Sequence, residues 1–210
     1  MQDWSGNNKS IWMALGASNH TDKLRQAEDY YATDSKALEL FAPHFAIHKK
    51  VWECACGSGE LSRWLEAHGH DVLSTDLCGR GYGIPGINFM KCSKRSALLN
   101  GWSCGEPFDI LTNPPYKIAT DFVIHALDLI PDSGRVIMFL KTTFLEGKQR
   151  KKVIYDINPP RYVYQYSERI LCAKNGDFDY MRSHGGSAVS YAMYVWCKHN
   201  NDNKTEIRWI

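Results

Sequence analysis

Short apolar runs alternate with segments of helical periodicity along most of this chain. The runs KKVWECA, DVLSTD, FDILTN and GRVIMFLK predict strands, and the last of them is apolar enough to be central in a sheet. ELSRWLEAH and KIATDFVIHALDLI place apolar residues at helical spacing. This alternation predicts an α/β fold with a doubly wound, mostly parallel sheet, which binds its ligands at the carboxyl ends of the strands.

The remaining patterns complete the predicted domain. TDSKALELF predicts a short helix that stops before Pro43, and the basic stretch near 148–155 is also helical in character. RYVYQYSER and AVSYAMYVW are strand-like, and no helix-length segment separates them, so we expect an antiparallel pair that closes the sheet. We interpret residues 1–30 as an irregular arm, 31–200 as one domain and 201–210 as a tail.

Composition places the chain among ordinary globular proteins. Its 210 residues are 44% hydrophobic and 23% charged, enough apolar material for one α/β core. The seven cysteines are scattered without a CxxC pair, and no secretory or membrane-length apolar run occurs. We therefore expect a reduced, cytoplasmic protein with no metal site and no membrane contact.

Charge is informative only in its distribution, because the net charge of +2 is too small to indicate a nucleic-acid partner. Residues 141–174 contain eight basic and three acidic side chains. The segment GKQRKK within them suits a phosphate backbone, although a solvated helix face would have the same composition. The candidate DNA contacts are Lys141, Lys148, Arg150, Lys151 and Lys152.

A glycine turn joins the first predicted strand to its helix, where backbone can approach a ligand closely. Seventeen residues after Gly59, Asp76 ends the next strand, where a carboxylate can accept hydrogen bonds from ribose hydroxyls. Ser62 occupies the place of the third glycine of the dinucleotide fingerprint, and Glu53 lies close to where a pyrophosphate would be. A negative side chain there is unfavourable for NAD and favours a cationic ligand such as S-adenosylmethionine.

The segment TNPPY follows the strand FDIL directly. Two prolines fix the backbone and cannot extend a sheet. They would hold the Asn113 side-chain oxygen and the Pro114 carbonyl as two acceptors for the N–H bonds of an aromatic amine, so that its lone pair faces a methyl donor. Tyr116 would stack on the planar substrate. A simple strand-ending turn is the alternative. The candidate catalytic residues are Asn113, Pro114, Pro115 and Tyr116.

These motifs together resemble class I S-adenosylmethionine-dependent amino-methyltransferases, whose signature is (D/N/S)PP(Y/F/W). DYYATDSKAL is similar to their Tyr-x-Thr-Pro segment, with Asp34 in place of proline, and VWECACGSGEL, STDL and TNPPY are similar to their glycine motif, ribose acid and catalytic loop. LGASNH, FLKTTFLEGKQRKK and SAVSYAMYVW resemble small phage and prophage DNA N6-adenine methyltransferases. The resemblance implies a Rossmann-like, mostly parallel seven-stranded sheet with an antiparallel C-terminal strand pair. It implies that the cofactor-binding residues are Tyr30, Tyr31, Thr33, Glu53, Ala55, Cys56, Gly57, Gly59, Asp76, Leu77, Asn88, Phe89 and Asn113.

The implied activity is methylation of adenine N6 in DNA, with the adenine flipped into the site and with low or no sequence specificity, since no separate recognition domain fits around the motifs. The same loop serves RNA adenine and protein glutamine methyltransferases, and less often cytosine N4 enzymes. A non-catalytic nucleic-acid-binding module is a further alternative. Cytosine C5 chemistry is excluded because no Pro-Cys dipeptide is present. Target sequence and oligomeric state stay open.

Overall fold

The computed structural model describes residues 30–96, 101–103, 106–174, 176–183, 186–200 and 202–210. The expected N-terminal arm, apart from Tyr30, lies outside them. The described strands are β1 (Tyr31–Thr33), β2 (Lys50–Glu53), β3 (Asp71–Ser74), β4 (Asp109–Thr112), β5 (Arg135–Lys141), β6 (Tyr162–Gln165), β7 (Cys172–Lys174), β8 (Tyr191–Cys197) and β9 (Glu206–Trp209).

The described helices lie mostly between these strands. They are α1 (Lys36–Phe41), α2 (Glu60–Ala67), α3 (Ala119–Leu129), α4 (Lys148–Arg150) and α5 (Phe178–Ser183). Single 3₁₀ turns occur at Ala42–His44, Phe89–Lys91, Tyr116–Ile118 and Thr142–Leu145, and α4 continues as a π-helical turn over Lys151–Tyr155. In the part of the chain that is described, no helix has the length and apolar character needed to cross a membrane.

Seven strands form one sheet in the order β3-β2-β4-β5-β8-β6-β9. The pairs β3–β2, β2–β4, β4–β5 and β6–β9 are parallel, whereas β8 is antiparallel to both β5 and β6. The predicted fold class and the antiparallel pair of β6 and β8 are confirmed. Because β3 and β4 lie on opposite sides of β2, the carboxyl ends of β2 and β4 flank the topological switch point, where ligands bind in such sheets.

The core consists of two apolar layers, one on each face of the sheet. Alternate residues of a strand point to opposite faces, so Trp52 and Ile110 join α3 on one side, while Val51 and Leu111 join α1 and α2 on the other. Within α2, Leu61 and Leu65 are buried at a spacing of one helical turn. Helices thus cover both faces, as a doubly wound sheet requires.

The C-terminal segment differs from the expectation. Residues 201–210 were expected to form a tail, but Glu206–Trp209 forms β9, which pairs in parallel with β6. The alternation in Glu-Ile-Arg-Trp suits a strand, and β6 would otherwise have an unpaired edge. Ile207 and Trp209 stay exposed, which is why the segment lacks the apolar character of a buried strand.

A second, two-stranded sheet was not expected. Here β1 pairs antiparallel with β7, and Thr33 lies directly opposite Cys172. The Asp34 N–H donates to the Leu171 carbonyl at 3.0 Å and extends the pairing beyond the strand. This small sheet attaches the segment before α1 to the segment between β6 and β8.

Candidate active site

The glycine turn after β2 has the conformation that its sequence requires. Gly57 and Gly59 have φ angles of 58° and 88°, which residues with a Cβ rarely adopt. A Cβ on Gly57 would lie 2.1 Å from the Tyr30 ring, and a Cβ on Gly59 would lie 2.2 Å from the Tyr82 ring. The turn therefore needs glycine both for its backbone angles and for the close approach of two aromatic rings.

Polar contacts join this turn to two other candidate cofactor residues. The Ser58 N–H donates to the Tyr30 hydroxyl oxygen at 2.9 Å, and the Gly57 N–H donates to an Asp76 carboxylate oxygen at 2.9 Å. The other Asp76 oxygen accepts the Cys78 N–H at 2.7 Å. The structure thus brings the glycine turn, Tyr30 and Asp76, the predicted ribose acid, together at the carboxyl ends of β2 and β3.

Glu53 lies behind the turn and is almost fully buried, with 2% exposure. Its carboxyl group accepts a hydrogen bond from Ser62, which in turn accepts one from Ser74 at 2.7 Å. Burial is the main cause that raises the pKa of Glu53 to about 8, the hydrogen bond from Ser62 opposes the rise, and the negative charges of Glu60 and Asp76 add to it. A cation bound at the turn would lower the pKa of Glu53.

Replacing Glu53 by glutamine tests this buried acid. Its pKa is about 8 in the folded protein and near 4.5 in an unfolded chain, so between these values the folded state holds a proton that the unfolded state releases. Its contribution therefore lowers the free energy of unfolding as pH rises from 4.5 to 8. We expect Glu53→Gln to flatten this dependence in urea unfolding at a series of pH values, whereas the exposed control Glu39→Gln keeps it. An unchanged pH dependence in Glu53→Gln would contradict the assignment.

The two polar atoms of the Asn113 side chain, in the candidate catalytic loop, differ in their hydrogen bonding. Its side-chain Nδ2 lies 2.9 Å from Thr33 Oγ1, 3.4 Å from the Tyr31 carbonyl and 3.5 Å from Cys172 Sγ. Its Oδ1 is buried and has no hydrogen-bond partner in the described part of the chain. A buried acceptor without a partner costs free energy and requires an explanation. The neighbouring Pro114 carbonyl also accepts no hydrogen bond from the described residues.

Aromatic side chains surround this amide. The Tyr116 ring centroid lies 6.4 Å from those of both Tyr31 and Tyr191. Its hydroxyl lies 3.3 Å from Cys172 Sγ, and burial raises its pKa, so the phenol stays neutral. The Lys141 ammonium lies 4.7 Å from the centre of the Tyr116 ring, a cation–π distance. One predicted DNA contact is thus part of the site itself.

Tyr30, just before β1, and Tyr31, the first residue of β1, connect the two halves of the site. Tyr30 contacts the glycine turn after β2, while Tyr31 contacts Asn113 and Tyr116 after β4. Because β2 and β4 are paired neighbours, consecutive tyrosines span the switch point of the sheet. The cofactor candidates and the catalytic candidates therefore form one continuous site.

Other predicted cofactor residues lie at its periphery. Phe89 is buried and packs against Trp52 and Phe122 in the core, and Asn88 accepts the Met90 N–H that starts the adjoining 3₁₀ turn. Leu77 is exposed, Ala55 packs against the core, and the Cys56 N–H donates to the Thr75 carbonyl at 3.1 Å. Their roles towards a cofactor stay predictions.

The basic side chains after β5 differ in whether they have partners nearby. Arg150 donates from Nε to the Glu146 carbonyl at 2.7 Å and lies over the Phe144 ring, so its guanidinium is used locally. Lys151 forms an exposed ion pair with Asp156. Lys148 and Lys152 are exposed and have no ion pair within the described residues. Lys148 and Lys152 are thus the basic side chains of GKQRKK without a partner among the described residues, and the phosphate contacts stay predictions.

Sequence reasoning missed three residues that complete the site. Tyr82 packs on Gly59, Tyr191 lies beside Tyr116, and the buried Cys172 contacts both Asn113 and Tyr116. The only sequence signals for the two tyrosines were the position of Tyr82 in a glycine-rich loop and that of Tyr191 in a strand-like run. No sequence signal marked Cys172. In the described part of the chain, no group of three or more His, Cys, Asp or Glu side chains is arranged to hold a metal ion.

The sequence matches no protein-family model and none of the curated proteins. Solved structures do match. The modification subunit of a proposed type I restriction enzyme from Vibrio vulnificus has a TM-score of 0.55 at 10% identity, and the match covers 96% of this chain but 50% of that one. A proposed RNA methyltransferase from Pyrococcus horikoshii has a TM-score of 0.51 at 14% identity, with 90% and 96% covered.

A third matching structure bears a name that does not refer to methylation or modification. A proposed hemolysin from Lactococcus lactis has a TM-score of 0.54 at 12% identity, with 84% of this chain and 89% of that chain covered. Structural matches at identities this low show a shared architecture only, so the activity has to be argued from the site. Together with the strand order, and with β8 as the antiparallel strand of the described seven-stranded sheet, these matches show that this chain has the Rossmann-like fold of class I methyltransferases.

Proposed function

We propose that this protein transfers a methyl group from S-adenosylmethionine to the N6 amino group of adenine in DNA. The observation that carries the proposal is that, within the described part of the chain, neither the buried Oδ1 of Asn113 nor the adjacent Pro114 carbonyl, just after β4, has a hydrogen-bond partner. Two unpaired acceptors on a rigid loop are what a planar amino group with two N–H bonds would satisfy.

These acceptors supply the catalytic effect on the substrate side. An exocyclic amine is a weak nucleophile because its lone pair is delocalised into the ring. Hydrogen bonds to Asn113 and Pro114 favour a more tetrahedral nitrogen and direct its lone pair away from the loop. The nitrogen then gains an N–C bond and loses one proton to solvent. Acceptors that are already in place need no reorganisation during the reaction, and this preorganisation lowers the barrier.

The residues at the glycine turn fit a cationic cofactor. Glu60 and Asp76 place negative charge there, a bound cation would favour ionisation of the buried Glu53 carboxyl as well, and Gly57 and Gly59 let the backbone approach a ligand. S-adenosylmethionine supplies a methyl group on a positively charged sulfur, and loss of that methyl leaves a neutral thioether. Asp76 would accept hydrogen bonds from the ribose, and the carboxylates would favour the cation over an anionic dinucleotide.

The proposed substrate class rests on basic side chains that follow the end of β5. Lys148 and Lys152 are exposed and form no ion pair with any described residue, and Lys141 lies over the ring of Tyr116. A flipped base would stack on that ring, and the lysines would contact the phosphates beside it. Two of the solved structures bear names of nucleic-acid-modifying proteins, which supports the same class. Phosphate contacts do not read sequence, so we propose low sequence specificity.

The decisive experiment is transfer of a tritiated methyl group onto DNA, RNA and a protein mixture, followed by mass analysis of the nucleosides. The expected product is N6-methyladenine from DNA, in many sequence contexts on a plasmid. Methyl-adenine from RNA alone would move the substrate to RNA, and methylated glutamine would move it to protein. Transfer to none of the three would overturn the proposal.

A double substitution tests the phosphate contacts. Lys148→Ala combined with Lys152→Ala should weaken DNA binding similarly for every sequence and should lower the slope of log affinity against log salt by up to about 2, roughly one for each lost phosphate contact. The matched control is Lys49→Ala with Lys204→Ala, which removes the same charge at the amino edge of the sheet. Equal slopes for both double variants in a fluorescence titration would contradict the assignment.

A further inference from the structure

We propose that Thr33 and Cys172 are positioning residues that hold the Asn113 amide with its oxygen directed into the site. The inference deepens the proposed function and rests on it, because it assigns the residues through which Asn113 acts. The resemblance to known methyltransferases implies a cofactor role for Thr33 and none for Cys172. The contacts of both side chains point instead to the catalytic amide.

The orientation of the amide follows from the chemistry of its three partners. A backbone carbonyl only accepts hydrogen bonds, so the Tyr31 carbonyl at 3.4 Å must face the NH₂ group of Asn113 and not its oxygen. Thr33 Oγ1 accepts the shortest of the three bonds, at 2.9 Å. With both N–H bonds directed to this side, Oδ1 is left on the opposite side without a partner.

Cys172 supports the same arrangement from β7. Its sulfur lies 3.5 Å from Asn113 Nδ2 and 3.3 Å from the Tyr116 hydroxyl, so it contacts both ends of the catalytic loop. Burial raises the pKa of the thiol, while hydrogen bonds from Tyr116, Tyr191, Asn113 and Thr33 oppose that rise. The group therefore stays a neutral thiol, and it serves as a large, soft acceptor within a polar cluster.

The backbone explains why these two side chains meet at the amide. Thr33 and Cys172 are directly opposite each other in the β1–β7 pair, and their exposures are 3% and 4%. Directly opposed residues of an antiparallel pair have neighbouring side chains. The two-stranded sheet thus places one buried hydroxyl and one buried thiol against the loop after β4. We name this pair of side chains the amide clamp.

The clamp should act on the rate and not on cofactor affinity. A displaced acceptor loses its alignment with the developing charge, and a misplacement of about 1 Å can cost up to roughly 100-fold. Thr33→Val keeps the shape and removes the hydroxyl, so we expect a loss of single-turnover methyl transfer on the order of 10-fold, with an almost unchanged dissociation constant for S-adenosylmethionine. Thr33→Ser should restore most of the rate. Cys172→Ala should lower it, Cys172→Ser should lower it less, and the distant control Cys197→Ala should not.

A double-mutant cycle separates the clamp from a cofactor role. If Thr33 acts only through the amide, Thr33→Val has no further effect on the rate in an Asn113→Ala background. If Thr33 acts on the cofactor, the two losses multiply and cofactor affinity falls. Multiplying losses would overturn the proposal.

A second readout needs neither substrate nor cofactor. In protein with ¹⁵N-labelled asparagine, the side-chain NH₂ signals that vanish in Asn113→Ala belong to this amide. We expect slow exchange of their protons in the wild type and in Thr33→Ser, and faster exchange in Thr33→Val and Cys172→Ala. Unchanged exchange in the last two variants would overturn the clamp, even for an active enzyme. If the wild type methylates no substrate, the proposed function is wrong, but the exchange measurement still tests the amide clamp.

Discussion

Replacing Asn113 by alanine is expected to lower methyl transfer on the order of 100-fold or more, the effect of losing one preorganised transition-state contact. The side chain adds an acceptor that is buried and unpaired before the substrate arrives, so the substrate amine is its expected partner. The affinity for S-adenosylmethionine should change little, because Asn113 makes its described contacts with Thr33, Tyr31 and Cys172. Single-turnover transfer and calorimetric binding measure the two effects separately.

Asn158 offers a matched control. It also donates from Nδ2 to two carbonyls, those of Cys197 and Lys198, and its Oδ1 is likewise buried and without a partner. It lies beside the end of β8, at the opposite edge of the sheet from the catalytic loop. Asn158→Ala should therefore leave the rate of the folded enzyme unchanged. If Asn113→Ala kept most of its turnover, TNPPY would be only a strand-ending turn.

The site residues share one property, which is that they lie at or just after the carboxyl end of a strand. Glu53 and Lys141 are the last residues of β2 and β5, and Asp76 and Asn113 follow β3 and β4 within two residues. Parallel strands bring these four positions to one edge, although they are far apart in sequence. The chemistry of the site is thus a consequence of strand direction, and the side chains near the amino ends of the same strands are free for a structural role.

This relation explains how much of the site was predictable. Buried parallel strands are continuous apolar runs, so the ends of VWE and DILT could be located without a structure. Glycine at positive φ marked the first turn, and the two prolines marked the second. Those signals are local in sequence, and they were sufficient for the residues that directly follow a strand.

Contacts between distant, patternless segments could not be predicted in the same way. Tyr31–Thr33 and Cys172–Lys174 are three residues each, too short for a period-2 pattern, and their pairing depends on the whole sheet being in place. Phe89 has the same hydrophobic character whether it packs on a ligand or in the core. A count of basic residues could not show that Arg150 is bound to nearby carbonyls.

The largest expected effect on stability is at the amino edge of the sheet, where Asp109 begins β4. Its side chain is fully buried and accepts hydrogen bonds from the His48 N–H at 2.8 Å and from Arg135 Nε and Nη2 at 2.9 and 2.8 Å. It thereby ties together the segment before β2, β4 and the start of β5. Removing one partner of a buried ion pair leaves the other charge without compensation, at a cost of about 3–5 kcal/mol.

Asp109→Ala should therefore lower the free energy of unfolding by about 3 kcal/mol, near the lower end of that range, because the Arg135 side chain retains 19% exposure and can be partly rehydrated. Urea unfolding followed by tryptophan fluorescence measures the loss. The control is Asp202→Ala, which removes an exposed carboxylate that also binds an arginine through both oxygens. An exposed pair is screened by water, so its loss should be small. Equal destabilisation by the two substitutions would show that the Asp109 cluster does not anchor the sheet, and the strand ends that carry the site would need another support.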